Sequence, residues 1–250
     1  DLPPRTEIHL SIELSEPESA FYEALRSRAV EQLTNTGSAA PNANEDPGKK
    51  AFQILAELTR LRRACCHPAL VDPKVGKTIR SAKLAAFTET VEEILAGRHQ
   101  VLVFSQFVDH LALIRAELDE KGIVYQYLDG STPTKKRKEA VDAFQRGEGN
   151  VFLISLKAGG FGLNLTAADY VIHMDPWWNP ATEDQASDRA HRIGQTRPVT
   201  IYRFITKGTI EEKIVSLHHQ KRELAESLLS GSDDANVRLS PEELLDLIRE

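Results

Sequence analysis

The sequence predicts an α/β fold, a parallel sheet with helices on both faces, preceded by an N-terminal helical protrusion. Short apolar runs such as Val101–Phe104 and Val151–Ile154 alternate with helical patterns from Ser81 onward. Strands that are apolar throughout are typical of parallel sheets covered on both faces. Before Ser81 the periodicity is mainly helical. The 250 residues suffice for one α/β domain with an appendage, or for two small domains.

The first 80 residues predict a strand, two helices and a linker. The Ser15–Glu18 segment has the capping-box pattern that starts a helix. The elements are, in order, strand Glu7–Leu14, a helix from Ser15 to about Leu33, loop Thr34–Gly48, helix Lys49–Cys66 and linker Pro68–Arg80. Because the second helix has an apolar stripe at Phe52, Leu55, Leu58 and Leu61, we expect the two helices to form a hairpin.

From Ser81 onward, helices and strands alternate. They are helix Ser81–Ala96, strand Val101–Phe104, helix Val108–Lys121, strand Val124–Leu128, helix Thr134–Gln145, strands Val151–Ile154 and Tyr170–Met174, helix Pro180–Ile193, strand Thr200–Ile205 and helix Ile210–Leu229. A loose loop at Ser230–Asn236 precedes a last helix that begins at Ser240. Three domain segments follow: 1–80, 81–229 and 230–250.

Composition excludes few functions. Apolar residues make up 41% and charged residues 27% of the chain, as in globular proteins. No apolar run approaches the ~18 residues that span a membrane, so we expect no membrane partner, and Asp1–Pro4 does not resemble a signal peptide. The abrupt start is typical of a piece of a longer protein. A net charge of -6 does not exclude nucleic acid, because phosphate binding needs only a local basic surface.

The segment from Gln185 to Gln195 carries the clearest chemical signal. On the predicted helix, Gln185, Arg189 and Arg192 lie at i, i+4 and i+7 and share one face. Arginine offers planar, permanently charged donors that suit phosphate oxygens, so the stripe fits an arginine-finger face that stabilises charge on a γ-phosphate. The alternative is a solvated helix with surface salt bridges to neighbouring acids, and residue types alone leave both readings open.

Ligands of parallel sheets bind at the carboxyl ends of the strands, which here precede three further candidate loops. Ser155–Leu165 is rich in glycine and carries Ser155 and Lys157, which can meet phosphates, although a tight strand–helix connection is the plain alternative. Asp175–Pro180 holds two adjacent tryptophans, of which we expect at least one ring to be buried. Leu128–Pro133 offers the Ser131 and Thr132 hydroxyls and the following helix N-terminus to a phosphate, and the plain alternative, Thr132 as a helix cap, is compatible with that role.

Two weaker signals are set aside. Val75–Thr78 ends like a phosphate-binding loop, but Val71 stands where that motif needs a glycine and no strand precedes it. Cys65, Cys66 and His67 have no second pair at ligand spacing, so no metal site is expected.

A basic run, Lys135–Lys138, fits a solvated helix face that could add to a DNA-facing patch.

Together these segments resemble the second RecA-like lobe of helicase superfamily two, in its Swi/Snf-type family. VLVFSQF looks like motif IV, ISLKAGGFGLNL like motif V and QASDRAHRIGQ like motif VI, with LDGST and DPWWNP between them in the family's order. LTRLRRACCHPAL resembles the segment that joins the family's helical protrusion to this lobe, so the resemblance covers nearly the whole chain.

The resemblance implies roles for individual residues. Arg189 and Arg192 would be arginine fingers that reach ATP bound with Mg2+ mainly by the first lobe, which these residues do not include. Gln185, Gly162 and Asn164 would lie on the nucleotide side of the cleft between lobes. The residues implied to line the DNA track are Ser105, Gln106, Ser131, Thr132, Ser155, Lys157 and Trp178.

The resemblance also implies a whole-protein function. Such motors are ATP hydrolases that translocate along double-stranded DNA, and this chain alone is expected to be inactive because hydrolysis needs both lobes. Expected partners are double-stranded DNA, the first RecA-like lobe of the parent chain and RNA polymerase or another DNA-bound protein, as in chromatin remodelling or protein displacement. The expected location is the bacterial cytoplasm, or the nucleus in a eukaryote. A DNA- or protein-binding lobe without chemistry is the competing interpretation.

Overall fold

The computed structural model describes residues 2–35, 47–160, 162–229 and 240–249. Most of the predicted loop Thr34–Gly48 and the whole of Ser230–Asn236 lie outside these residues, as does Phe161. The chain divides into two compact units, of which the first comprises residues 1–13 and 82–206 and the second comprises residues 14–81 and 207–250. Among the described residues, no helix is both long and apolar enough to cross a membrane.

The first unit contains a sheet of six parallel strands, which confirms the predicted parallel α/β fold. The strands are β1 Arg5–Ile12, β2 Val101–Ser105, β3 Tyr125–Leu128, β4 Val151–Ser155, β5 Tyr170–His173 and β6 Val199–Thr206. They lie in the order β1-β6-β5-β2-β4-β3. The β2 and β4 strands are buried along their whole length, as their continuous apolar sequences predict.

Eight α-helices are described in the two units. They are α1 Glu16–Asn35, α2 Pro47–Cys66, α3 Ala82–Ala96, α4 Val108–Glu120, α5 Thr134–Gln145, α6 Pro180–Ser187, α7 Ile210–Leu229 and α8 Pro241–Arg249. Three short 3-10 helices, absent from the sequence prediction, occupy Pro68–Leu70, Val75–Lys77 and Leu156–Gly160.

The apolar core of the first unit has two layers, one on each face of the sheet. Alternate residues of a strand point to opposite faces, and Val101 and Val103 accordingly pack with α3 and α4 residues such as Phe87 and Ile114. The intervening residues of β2 pack in a second cluster with Phe144 of α5 and Ala186 of α6. The predicted helical cover of both faces is therefore confirmed.

The N-terminal strand belongs to the sheet, although the predicted boundary at residue 80 separated it from the α/β domain. β1 pairs in parallel with β6 along its whole length, from Arg5 beside Val199 to Ile12 beside Thr206. Pairing between segments so distant in sequence leaves no local pattern, which is why the prediction missed it. The second unit likewise combines α1 and α2 with α7 and α8 from the far end of the chain.

Local signals in the second unit match the structure closely. The Ser15–Glu18 capping box forms, with the Ser15 N–H donating to Glu18 Oε2 at 2.9 Å and the Glu18 N–H donating to Ser15 Oγ at 3.4 Å. A Cβ atom on Gly76 would lie 2.2 Å from the Ala69 Cβ atom, so this glycine permits close packing of two 3-10 turns. The segment that resembles the end of a phosphate-binding loop is therefore a packing feature.

The predicted helix Pro180–Ile193 is wrong at its C-terminal end. It begins as expected, with Asn179 Oδ1 accepting from the Ala181 N–H at 3.1 Å and Pro180 at the first position, but it ends at Ser187. From there the backbone serves tertiary contacts, since the Arg189 carbonyl accepts from the Leu165 N–H at 3.0 Å. The predicted stripe at i, i+4 and i+7 therefore does not form on one helix.

Candidate functional site

The carboxyl ends of four neighbouring strands, β5, β2, β4 and β3, bring the candidate loops to one side of the sheet. In the parallel register, Ser105 of β2 lies beside Ser155 of β4, and Phe104 of β2 lies beside His173 of β5. Leu128 of β3 lies beside Ile154 of β4. Residues that follow these strands are therefore neighbours in space, as the sequence predicts for a ligand site of a parallel sheet.

Asp175 organises the end of β2. Its carboxylate accepts from Ser105 Oγ at 2.5 Å and from the Gln106 N–H at 3.3 Å, and Ser105 Oγ in turn accepts from the Phe107 N–H at 3.1 Å. Ser105 is 2% exposed. The Gln106 side-chain nitrogen is also buried and has no hydrogen-bond partner among the described residues. In this loop the Ser105 hydroxyl is hydrogen-bonded within the protein, whereas the Gln106 side-chain amide has no acceptor among the described residues.

Asp129 organises the end of β3. One of its carboxylate oxygens accepts from the Ser131 N–H at 2.8 Å and from Ser131 Oγ at 2.6 Å, and the other accepts from the Tyr127 hydroxyl at 2.7 Å. These hydrogen bonds, Ser131 first, hold the Asp129 pKa below its ordinary value. Thr132 Oγ1 accepts from the Asp129 N–H at 3.0 Å, and the N-cap of α5 is Pro133, so the predicted capping role of Thr132 is wrong.

Arg137 of α5 faces the same loop from its carbonyl side. Its Nε donates to the Thr132 carbonyl at 2.6 Å, and its Nη2 donates to the carbonyls of Asp129 and Gly130 at 3.2 and 3.1 Å. In the sequence, this residue was identified only as part of the basic run Lys135–Lys138. An i+5 spacing from a turn to an arginine in the first turns of the next helix is the signal that could have found it.

The loop after β4 presents a different set of side chains. Ser155 is buried, whereas Lys157 of the following 3-10 helix is exposed. Gly162 adopts a left-handed conformation with φ of +40°, which favours glycine, and it is exposed together with Asn164. Of the residues assigned to the nucleotide side, these two and Gln185 are thus all accessible to a ligand.

Arg189 and Arg192 lie beyond α6 in a segment of turns and bends. Arg189 is 5% exposed, and its guanidinium carbon lies 5.6 Å from the centre of the Phe104 ring. Burial, and then the nearby charge of Arg192, lower the pKa of Arg189 to about 10. Arg192 is exposed, donates to the Gly162 carbonyl at 3.2 Å and forms no ion pair within the described part of the chain. The Arg189 guanidinium is therefore a largely buried cation, and the charge of Arg192 is the smaller cause of its lowered pKa.

Gln195 fixes this segment, a role that the sequence analysis missed. Its Nε2 donates to the carbonyls of Thr166, Ala168 and Ala190 at 3.1, 2.8 and 2.9 Å, and its Oε1 accepts from the N–H groups of Thr196 and Arg197. Gln195 is 8% exposed. A side-chain amide is the group that can satisfy carbonyls and N–H groups at once. Its position directly after a glycine, at the end of a polar segment, was the available signal.

A buried ion pair anchors the start of α6. The Glu183 carboxylate accepts from Arg203 of β6 and from the Trp177 N–H at 2.9 Å, and Arg203 Nη2 donates to Asp184 at 3.0 Å. Glu183 is 1% exposed, and desolvation raises its pKa to about 7 against the opposing effect of Arg203. Residue types gave no sign of this pairing, because its partners are 20 positions apart and meet only through the sheet.

The tryptophan loop and its neighbouring histidine are held by the same framework. Trp177 and Trp178 are both half-buried, whereas the sequence predicted that at least one ring would be buried. His173 Nε2 lies 2.8 Å from Ser187 Oγ, and the His173 ring stacks on Phe104 at 5.5 Å. Burial, followed by the charges of Arg203 and Arg5, lowers the pKa of His173 well below its ordinary value. This histidine is a neutral structural group.

The fold and the loops at its edge define a helicase C-terminal lobe. The family model described as the helicase conserved C-terminal domain matches residues 83–194. A protein of Mycoplasma pneumoniae described as an uncharacterized ATP-dependent helicase is 36% identical over 99% of this chain and 23% of its own length. The first relatives are thus about four times as long as this chain, which spans 23% to 26% of them.

Two solved structures from Sulfolobus solfataricus extend the comparison. The SWI2/SNF2 ATPase core in complex with double-stranded DNA is 36% identical, with a TM-score of 0.75, over 99% of this chain and 50% of that one. The SWI2/SNF2 ATPase C-terminal domain is 33% identical, with a TM-score of 0.71, over 97% of both chains. The chain therefore belongs to the Swi/Snf-type family of ATP-dependent helicases and corresponds to its C-terminal lobe.

Proposed function

We propose that this chain is the second motor lobe of an ATP-dependent translocase that moves along double-stranded DNA, with Arg189 and Arg192 as arginine fingers. The observation that carries the proposal is that the buried Arg189 and the exposed Arg192 lie on one segment after α6, where Arg192 contacts Gly162 of the glycine-rich loop. Burial disfavours the charged form of the Arg189 guanidinium and, with the smaller contribution of the Arg192 charge, lowers its pKa to about 10. A polyanion placed between the lobes would neutralise both, and a γ-phosphate in the transition state is such an anion.

The DNA track is proposed along the loops after β2, β3 and β4. Ser131 and Lys157 are exposed, and Thr132 and Trp178 are half-buried, so all four side chains are at least partly accessible. Gln106 supports the assignment, because a buried amide donor without an acceptor is costly and a phosphate oxygen would satisfy it. The Ser105 hydroxyl would contact a phosphate only after giving up its hydrogen bond to Asp175. Ser155, which is also buried, lies beside Ser105 on the neighbouring strand.

Nucleotide contacts are proposed for three exposed residues, Gln185 of α6 and Gly162 and Asn164 of the loop whose Gly162 carbonyl Arg192 contacts. The carboxylates of the edge loops do not fit a magnesium site. Asp175 accepts from Ser105, Asp129 from Ser131 and Glu183 from Arg203. We therefore derive no step through magnesium and propose that it is held, with most of the ATP, by the other lobe of the parent protein.

The test is the DNA-stimulated ATPase of the full-length parent protein. Arg189→Ala and Arg192→Ala should each lower the maximal rate by about 10³–10⁵, the range that arginine fingers contribute. The matched control is Arg146→Ala, which removes an exposed arginine paired with Glu148 on the same unit and should leave the rate within about twofold.

Binding measurements separate the two competing functions. ATP and DNA affinities should stay near those of the wild type, since a finger acts mainly in the transition state. Near-normal turnover of both finger variants would overturn the assignment and favour a DNA- or partner-binding lobe without chemistry.

A further inference from the structure

Two proposed phosphate-facing loops depend on one guanidinium. Besides its three hydrogen bonds to the carbonyls of Asp129, Gly130 and Thr132, Arg137 donates from Nη1 to the Ala158 carbonyl at 3.5 Å. Ala158 belongs to the 3-10 helix Leu156–Gly160, which carries Lys157. Arg137 therefore bridges the loop after β3 to the loop after β4.

The four hydrogen bonds of Arg137 to carbonyls depend on the planar shape of its guanidinium. Carbonyl groups carry no net charge, and four of them in two loops surround one side chain. Arginine has five N–H donors in a rigid planar fork, whereas lysine has three donors on a single nitrogen and cannot span such a set. Arg137 is half-buried, whereas the neighbouring basic residues on the same helix are exposed to solvent: Lys135, Lys136 and Lys138.

Asp129 and Arg137 both hold the turn after β3, Asp129 through the donors of that turn and Arg137 through its carbonyls. The Asp129 carboxylate gathers the donors of Ser131 and Tyr127, and the Arg137 guanidinium gathers the carbonyls of the same turn. The Ser131 and Thr132 hydroxyls are consequently set at a fixed position relative to the backbone that carries Lys157. A track of phosphates has a fixed repeat, so the distance between two contact loops matters for DNA affinity.

We propose that Arg137 is a positioning residue that sets the spacing between the DNA-contacting loops after β3 and β4. The inference rests on the proposed function, since it assumes that these loops meet DNA. It assigns Arg137 no direct contact with phosphate. Its removal should weaken DNA engagement while the rate at saturating DNA is retained.

Arg137→Lys in the full-length parent protein tests the proposal, because it keeps the charge and removes the fork. The DNA concentration that gives half-maximal ATPase stimulation should rise roughly tenfold, equivalent to ~1.4 kcal/mol. The maximal rate should stay within about twofold of the wild type. The matched control is Lys138→Ala, which removes a charge from the same helix. If this substitution weakens DNA binding, the salt dependence of the DNA affinity should fall by about one counterion. Arg137→Lys should leave the salt dependence unchanged.

Amide hydrogen exchange on the same variants, without DNA, supplies an independent measurement. Exchange in residues 129–133 and 156–160 should accelerate in Arg137→Lys, while β2 stays protected as in the wild type. Half-maximal DNA concentration within twofold of the wild type, or unchanged exchange in both loops, would overturn the proposal. A wild-type protein whose ATPase ignores DNA would instead refute the proposed function, and the exchange measurement would still decide whether Arg137 clamps the loops.

Discussion

Single side chains with several hydrogen bonds determine the shape of each loop at the edge of the sheet. Asp175 holds the backbone after β2, Asp129 the turn after β3 and Gln195 the segment after α6. In each case a side chain with several donor or acceptor sites replaces the regular backbone pairing that the loop lacks. The residues that resemble family motifs are thus only part of the site, and their partners determine where they lie.

Gln195→Glu should destabilise the isolated chain by about 1–3 kcal/mol, because three carbonyls lose their donor and face a carboxylate instead. Urea unfolding of the purified chain measures the effect. Gln185→Glu, an exposed position in the same segment, is the matched control and should stay within about 0.5 kcal/mol of the wild type. Equal stability of the two variants would show that the network around Gln195 contributes little.

Glu183 should make stability depend on pH near neutrality. Burial raises its pKa from 4.5 to about 7, so its contribution is fully present below about pH 4.5 and is lost as the pH rises through about 7. The two pKa values correspond to roughly 3 kcal/mol. The unfolding free energy of the wild type, measured relative to Glu183→Gln in urea, should therefore fall between about pH 5 and pH 8.

Glu148→Gln provides the control for this measurement. The exposed Glu148 pairs with Arg146, which lowers its pKa, so the carboxylate stays ionised throughout the range and the substitution should not alter the pH profile. If the difference between wild type and Glu183→Gln is flat or rises with pH, Arg203 keeps Glu183 ionised at all these values and the expectation is wrong.

At the scale of elements, the sequence predicts most bounds to within about two residues. Helices α5 and α7 match their predicted limits, and the strands β2 and β4 each extend one residue further. These elements carry their own signals, because apolar runs and caps act locally. Where a tertiary hydrogen bond replaces helical backbone pairing, as between the Leu165 N–H and the Arg189 carbonyl, the predicted end of helix α6 was wrong.

In the candidate site too, local signals could be predicted from the sequence and tertiary contacts could not. Motif-bearing residues such as Arg192 and Lys157 could be named from the sequence, since their types suit phosphate chemistry. Their anchors, Glu183 with Arg203 and Arg137 with the β3 loop, could not be identified, because each pairing depends on how strands and loops meet at the sheet edge. Periodicity predicts the elements but does not reveal which side chain will face which loop.

At the scale of the whole molecule, these 250 residues correspond to the C-terminal lobe of a family of ATP-dependent helicases. They include the proposed fingers and the DNA-facing loops, but Val75–Thr78 lacks the glycine of a phosphate-binding loop and packs through Gly76 against Ala69. Chemistry in such enzymes requires the nucleotide to be enclosed and the catalytic groups aligned. Arginine fingers without the groups that orient ATP and its metal have no aligned substrate.

We therefore expect the purified chain to hydrolyse ATP no faster than its Arg192→Ala variant, with or without double-stranded DNA. Both proteins should nevertheless bind DNA with similar, salt-dependent affinity, because the proposed DNA contacts are separate from the fingers. Steady-state phosphate release and fluorescence anisotropy with labelled duplex measure the two quantities on the same preparations. The variant is the control for contaminating ATPases. Turnover by the wild-type chain that the substitution abolishes would show that this lobe binds and positions ATP by itself, and the division of labour between two lobes would have to be abandoned.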